Sequence, residues 1–477
     1  MKRTQGSDMD NHGECSKPKK SKSSEITAHQ SQWAYLPSIL LYEIFDLLDS
    51  EDRINASVVC KHWRNTLFHP NWWSSMKFTI EAPSLLQPDT IQKARFLANT
   101  LGPIVENATV ALDSLSTPCI YEFISLLSVL NKNNHLKSLV LEPSHCRLQD
   151  CTLIGESNES TTVAEAVDLI LAIVPRLHQF SLGGLEDLSK YTDYIVKMLN
   201  PSKVTLLGLA SIKDDLVSHE ECYFSPELIS AFTNLQVLSI DYDQLSDKFL
   251  YQLEAVRKLE RLVVHLDAIP SWHEGTSNKT WADFRVAHPG CTLRLTVIHA
   301  YNDVKRLHVD VLREEMPLSH LKVFFCECVN IDVLHFLSSN YARTLRSVMW
   351  IDSLSDEPYS LQFLQLEDAR SPNPFVLMTW RCHGFEELVL YGYQYLLQDL
   401  LAIGRLRGSK MTNVEIPEVN IVTNEHYYNK ATDALEDISV NLGAAWNPVQ
   451  DLHPVILNPD MGDSDEFLLP LVLADLH

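Results

Sequence analysis

Between Trp33 and Trp73, apolar residues recur at helical spacing in three short runs. Leu40, Ile44, Leu47 and Leu48 fall at i, i+4, i+7 and i+8, which predicts an apolar stripe on one face of a first helix. Leu36-Pro37 opens it, because a proline in the first helical turn forfeits no intrahelical hydrogen bond. Leu41 and Phe45 widen the stripe beyond what one intramolecular contact requires. Ser50 is placed to cap a second helix, with Glu51 and Asp52 in its first turn and Ile54 and Val58 on its apolar face. Cys60, Trp63 and Leu67 mark a third, followed by His69-Pro70 and Trp72-Trp73. About 40 residues is near the lower limit for an independent core. The surplus of large apolar groups is expected to meet either the following domain or a second protein.

Beyond residue 75 the period changes. Met76, Phe78 and Ile80 alternate as a half-buried strand does. A looser unit then recurs: apolar, two spacers, apolar, one spacer, apolar. Its central positions are 139, 180, 207, 238, 262, 293, 321, 348, 388 and 414. Most intervals match leucine-rich repeats or slightly longer units. The second and third apolar positions lie two apart and so share one side of a strand. The intervening segments are long enough for return helices, as Phe123, Leu126, Leu127 and Leu130 illustrate. Each unit would bury its apolar face only by stacking on its neighbours. Helix starts are expected at Ser246-Asp247, Ile331-Asp332 and Ser355-Asp356, and insertions at 146–163 and 357–384.

The string LPSILLYEIFDLLDSEDRINASVVCKHWRNTLFHPNWW resembles an F-box. The hallmarks are Leu36-Pro37, Leu40, Ile44-Phe45, Leu48, Ser57, Val59-Cys60-Lys61 and Trp63, aligned without a gap over about 40 of the 477 residues. The resemblance implies a three-helix bundle that docks on the adaptor Skp1, and through it on a cullin and a RING subunit, in an SCF-type ubiquitin ligase. The residues it assigns to the Skp1 face are Leu36, Pro37, Leu40, Leu41, Ile44, Phe45, Leu48, Val59, Cys60 and Trp63. Ile54, Val58 and Leu67 are read as internal core, with Trp63 open to either role. Leu318, Leu321, Val323 and Cys326 resemble the cysteine-containing leucine-rich repeat common in F-box proteins, although the asparagine or cysteine ladder is missing from most copies.

The expected fold class is mixed α+β and α/β: a three-helix F-box followed by an irregular leucine-rich-repeat-like β/α solenoid. The expected divisions are a disordered tail at 1–32, the F-box at 33–75, the repeat domain at 76–425 and an acidic C-terminal tail at 426–477. Residues 431–477 hold nine acidic side chains and no Lys or Arg. Two readings of this segment stand: a solvated tail, or a tail folded back through Phe467, Leu468, Leu469, Leu471 and Val472.

Acidic groups number 62 against 39 basic, a net charge of -23, which argues against a nucleic-acid ligand. No apolar run reaches the roughly 18 residues of a membrane span, and no signal-peptide pattern opens the chain. A cytoplasmic or nuclear location is expected, with Lys17–Lys22 as either an import signal or a solubilising charge run. No CxxC pair, nucleophile elbow, Walker A or HExxH pattern occurs. Cys326, Cys328 and His335 are read as packing rather than metal-binding, and no cofactor is expected. A non-catalytic adaptor for an unidentified protein target is the leading reading. A Skp1-binding or repeat-based scaffold acting without the cullin is the alternative.

Overall fold

Pro37 has no backbone N–H to lose, and its carbonyl accepts from Leu40 and Leu41 at 3.0 and 3.1 Å, which starts helix α1 (Ser38–Asp46). The computed structural model describes residues 32–68, 72–149, 161–214, 224–354, 373–422 and 431–477. The expected tail at 1–31 with Lys17–Lys22, His69-Pro70, residues 150–160 of the first expected insertion, Ser355-Asp356 and residues 357–372 of the second lie outside them. Two compact units divide between Trp72 and Trp73.

The first unit holds α1, α2 (Ser50–Ser57) and α3 (Lys61–Leu67). Asp49, not Ser50, caps α2, its carboxylate accepting from the Asp52 N–H at 2.8 Å. Cys60 caps α3 through Sγ, which accepts from the Trp63 N–H at 3.5 Å.

The inward face of α1 is not the stripe that periodicity selects. Leu41 and Phe45 are wholly buried, whereas Leu40 and Leu47 are exposed. The run Ile39-Leu40-Leu41 through Ile44-Phe45 is apolar nearly all round, so spacing alone cannot choose a side. Phe45 decides it, with its ring 5.7 Å from Trp63 and 5.4 Å from Trp72. On α2 the expected core pair Ile54 and Val58 is likewise exposed, and the small Ser57 turns inward. Its hydroxyl donates to the Ile54 carbonyl at 2.6 Å, which satisfies it under burial.

The second unit is built on a parallel sheet of twelve strands: β1 (Ser75–Ile80), β2 (Asn107–Leu112), β3 (Ser138–Pro143), β4 (Gln179–Ser181), β5 (Leu206–Gly208), β6 (Val237–Asp241), β7 (Arg261–Leu266), β8 (Thr292–Ile298), β9 (Leu318–Phe324), β10 (Ser347–Ile351), β11 (Glu387–Tyr391) and β13 (Asn413–Glu415). Each strand pairs with the next in sequence, the order a stacked repeat must give. A separate ladder joins β12 (Tyr395–Leu396) to β14 (Ile421–Val422).

Leu139, Phe180, Leu207, Leu238, Leu262 and Leu293 pair in one continuous register, and Leu321, Val348, Leu388 and Val414 in another. All ten are buried. The two blocks are offset between β8 and β9, where Leu293 pairs with Leu318 and Leu295 with Leu321, a bulge that leaves Ser319 extra. β2 is a further strand that the repeat pattern does not pick out. Return helices fill the two long intervals, Thr161–Ile173 and Pro374–Arg381. Ser246 caps its helix as expected, while Asn330 rather than Ile331 or Asp332 caps the helix that follows β9.

Residues one position off the ladders point to the other side of the sheet. Ile298, Phe324, Ile351, Val389 and Tyr391 form a second core there with Val455, Ile456, Leu468, Leu469 and Val472. The C-terminal segment is therefore folded back on the repeats, not solvated. Its helix, Ser464–Leu473, buries Leu468, Leu469 and Val472 and leaves Glu466 and Pro470 to solvent. Upstream, the Trp446 indole donates to the Val414 carbonyl at 2.8 Å, and Val449 pairs with Ile416 and Glu418 beside β13.

Candidate functional site

On the helical module the residues left outside are as informative as the core. Trp33 is 63% exposed, Tyr35 67%, Ile39 68%, Leu40 42%, Leu47 88%, Ile54 47%, Val58 68% and Val59 60%. At about 100° per residue, Ile39, Leu47, Leu40 and Ile44 span a sector of roughly 140° on α1, facing away from Leu41 and Phe45. So much contiguous apolar surface on so small a module is the mark of a protein interface.

The frame beneath this surface is fixed by polar ties. The Trp63 indole donates to the Trp33 carbonyl at 3.0 Å, and the His62 ring lies 2.8 Å from the Leu36 carbonyl, anchoring the approach to α1. Arg53 donates through Nε to the Phe45 carbonyl at 2.7 Å, satisfying the end of α1, and its guanidinium sits 5.9 Å from the Trp72 ring centre.

Of the ten residues that the F-box resemblance assigns to the Skp1 face, Pro37, Leu40 and Val59 are exposed. Leu36, Ile44, Leu48, Cys60 and Trp63 are half-buried. Leu41 and Phe45 have no accessible surface, so in this conformation they support the face rather than form it. The exposed surface also includes Ile39, Leu47, Ile54 and Val58, which the sequence reading left out of the docking set. The surplus of apolar residues was their signal, since it exceeded what the core could absorb.

Elsewhere one cluster has the composition of a catalytic site. Lys213 donates to Ser211 Oγ at 2.8 Å and lies 3.2 Å from Asp241, to which Ser211 Oγ also donates at 2.8 Å. His265 packs beside them, its imidazole held neutral by burial. Ser211 is fully buried, and the adjoining cavity, lined by Lys213, Asp241, His265 and Asp267, has about 10 Å³, space for one water. Among the described residues this network lies buried within the repeats.

The Cys326 and Cys328 thiols donate to the carbonyls of Phe324 (3.3 Å) and Tyr301 (3.9 Å), and burial raises both pKa values. Both thiols are thereby satisfied as weak donors within the repeats. Among the described residues, His145, Asp463 and Asp465 lie close enough to share an ion. However, the His145 Nδ1 accepts from the Arg147 N–H at 2.9 Å, which leaves the proton on Nε2, facing the carboxylates at 3.5 and 3.7 Å. The arrangement sets the imidazole against two carboxylates of the C-terminal segment. No helix among the described residues is long and apolar enough to cross a membrane.

Residues 33–79 match the F-box-like family. The chain is 22% identical to F-box only protein 33 of Homo sapiens, over 88% of this chain and 84% of that protein. It is 21% identical to F-box/LRR-repeat protein 21 of Mus musculus, over 89% and 90% respectively. Among solved structures, an internalin from Listeria monocytogenes aligns over 80% of this chain and 88% of its own, with 10% identity and a TM-score of 0.27.

Proposed function

We propose that this chain, which carries an F-box-like domain at residues 33–79, is a substrate-recognition subunit of an SCF-type ubiquitin ligase. The F-box module docks on Skp1, and the repeats hold a protein target. The exposed apolar face of the module is the observation that carries this reading: Leu47 is 88% exposed on a helix whose opposite face is fully buried. F-box proteins are generally non-catalytic adaptors. The thioester sits on a separate conjugating enzyme, so the contribution of this chain is proximity.

Full-length protein should co-purify with Skp1, and replacing Leu36 and Pro37 by Ala should abolish the complex. Persistence of the complex would contradict the docking. Neddylated cullin in the same complex separates the ligase from a scaffold that uses Skp1 alone. We further propose a cytoplasmic or nuclear location; an unchanged nuclear fraction on deleting residues 17–22 would remove the import reading.

A further inference from the structure

The sheet face that the return helices leave free is already occupied by the end of the chain, and the chemistry of that contact is unusually polar for a terminal segment. Asp475 is 2% exposed, and its carboxylate meets Arg294 at 2.9 Å and Lys322 at 2.9 Å. Arg261 donates to its carbonyl at 2.9 Å, and Lys322 donates to the Leu471 carbonyl at 2.6 Å. Three cations from β7, β8 and β9 thus converge on one acidic residue in a chain of net charge -23. His320 beside them is held neutral, its pKa pushed down to about 4 by burial and by Arg294. With the segment lifted away, Arg294 and Lys322 would lose their carboxylate partner, leaving a local basic patch across β7–β9 between Asp241 and Glu387.

A second observation points to the same surface. His299 and Phe325 follow β8 and β9 at equivalent register and have φ of 52° and 51°, a conformation that costs a non-glycine residue roughly 1–2 kcal/mol. At the same register after β11 the residue is Gly392. Both strained side chains touch the segment: His299 Nε2 lies 3.3 Å from Ser464 Oγ, and the Phe325 ring packs edge-on against Phe467 at 6.2 Å. The strain is tolerated where the C-terminal helix grips these residues.

We propose that residues 463–476 are a displaceable self-ligand, and that the partner this face accepts is an acidic amphipathic helix of the same design. Its signature is an adjacent aliphatic pair two turns before a buried carboxylate, as Leu468-Leu469 stands to Asp475. This deepens the reading of the repeats as the target-binding part and rests on it.

The test uses the full chain and a fluorescent peptide of residues 463–477. By hydrogen exchange, amides of 464–473 should open at least about tenfold more often than those of β6–β9. Asp475→Lys should release the segment, so that this chain binds the wild-type peptide at least about tenfold tighter than the wild-type chain does. Arg294→Glu, which removes a receptor cation, should not capture it. Exchange of 464–473 as slow as the core strands overturns the proposal, even if Asp475→Lys fails to fold. Equal peptide binding by wild type and Asp475→Lys, or none by either, overturns it as well. Skp1 co-purification of the same variants is read separately, because its loss would bear on the F-box assignment and not on this one.

Discussion

Truncating Leu47 to Ala separates the proposed docking face from the fold. Full burial of a leucine side chain contributes about 1.5–3 kcal/mol. Because 88% of Leu47 is exposed in the free chain, nearly all of that remains available to a partner. Removing its outer three carbons should weaken Skp1 binding by about 1–2 kcal/mol, or roughly 5–30-fold in Kd. Stability should move by no more than about 0.5 kcal/mol, as for other surface substitutions. Phe45→Ala is the contrasting variant: loss of its contacts with Trp63 and Trp72 should destabilise the module by about 3–5 kcal/mol and abolish binding indirectly. Titration calorimetry against purified Skp1, paired with thermal melts, distinguishes the two. A Kd for Leu47→Ala within threefold of wild type, with an unchanged melt, would refute the assignment of this face.

Other outcomes follow from the repeats. The Asp352 carboxyl is pushed up to about 7 by burial, against the hydrogen bonds it accepts from the Tyr393 hydroxyl and the Glu327 backbone N–H. The folded state therefore holds a proton that the unfolded state has released above about pH 4. Stability should fall as pH rises from about 4 to 7, and Asp352→Asn should flatten that slope in denaturant melts. Gly183 has φ +69° and would place a Cβ 2.3 Å from the Leu141 carbonyl, so Gly183→Ala should lower stability by more than about 2 kcal/mol in the same assay.

The repeat ladder was readable because each strand must bury the same two alternate positions against its neighbours, so ten central residues could be placed from spacing alone. β2 escaped because its central position is the small Ala108, which does not stand out as a repeat position although Val105, Ala108 and Val110 keep the spacing and are buried. The bulge at Ser319 was hidden because Leu318, Leu321 and Val323 satisfy the pattern in either register. In the F-box the three helices were evident, but an all-round apolar α1 left its inward side to be chosen by the aromatic contacts of Phe45. The fold-back of the C-terminal segment was one of two open readings. Its outcome depended on Arg261, Arg294 and Lys322, whose convergence on Asp475 comes from strands far apart in sequence.

The indole of Trp446 on the Val414 carbonyl, with Val449 beside Ile416, has a consequence for handling the protein. An open parallel sheet ends in a row of free backbone groups that can recruit a strand from another molecule. Residues 446–449 blunt that row at β13. A chain cut at residue 422 would retain every strand of the sheet yet present a sticky margin, and concentration-dependent association should then appear before any loss of secondary structure.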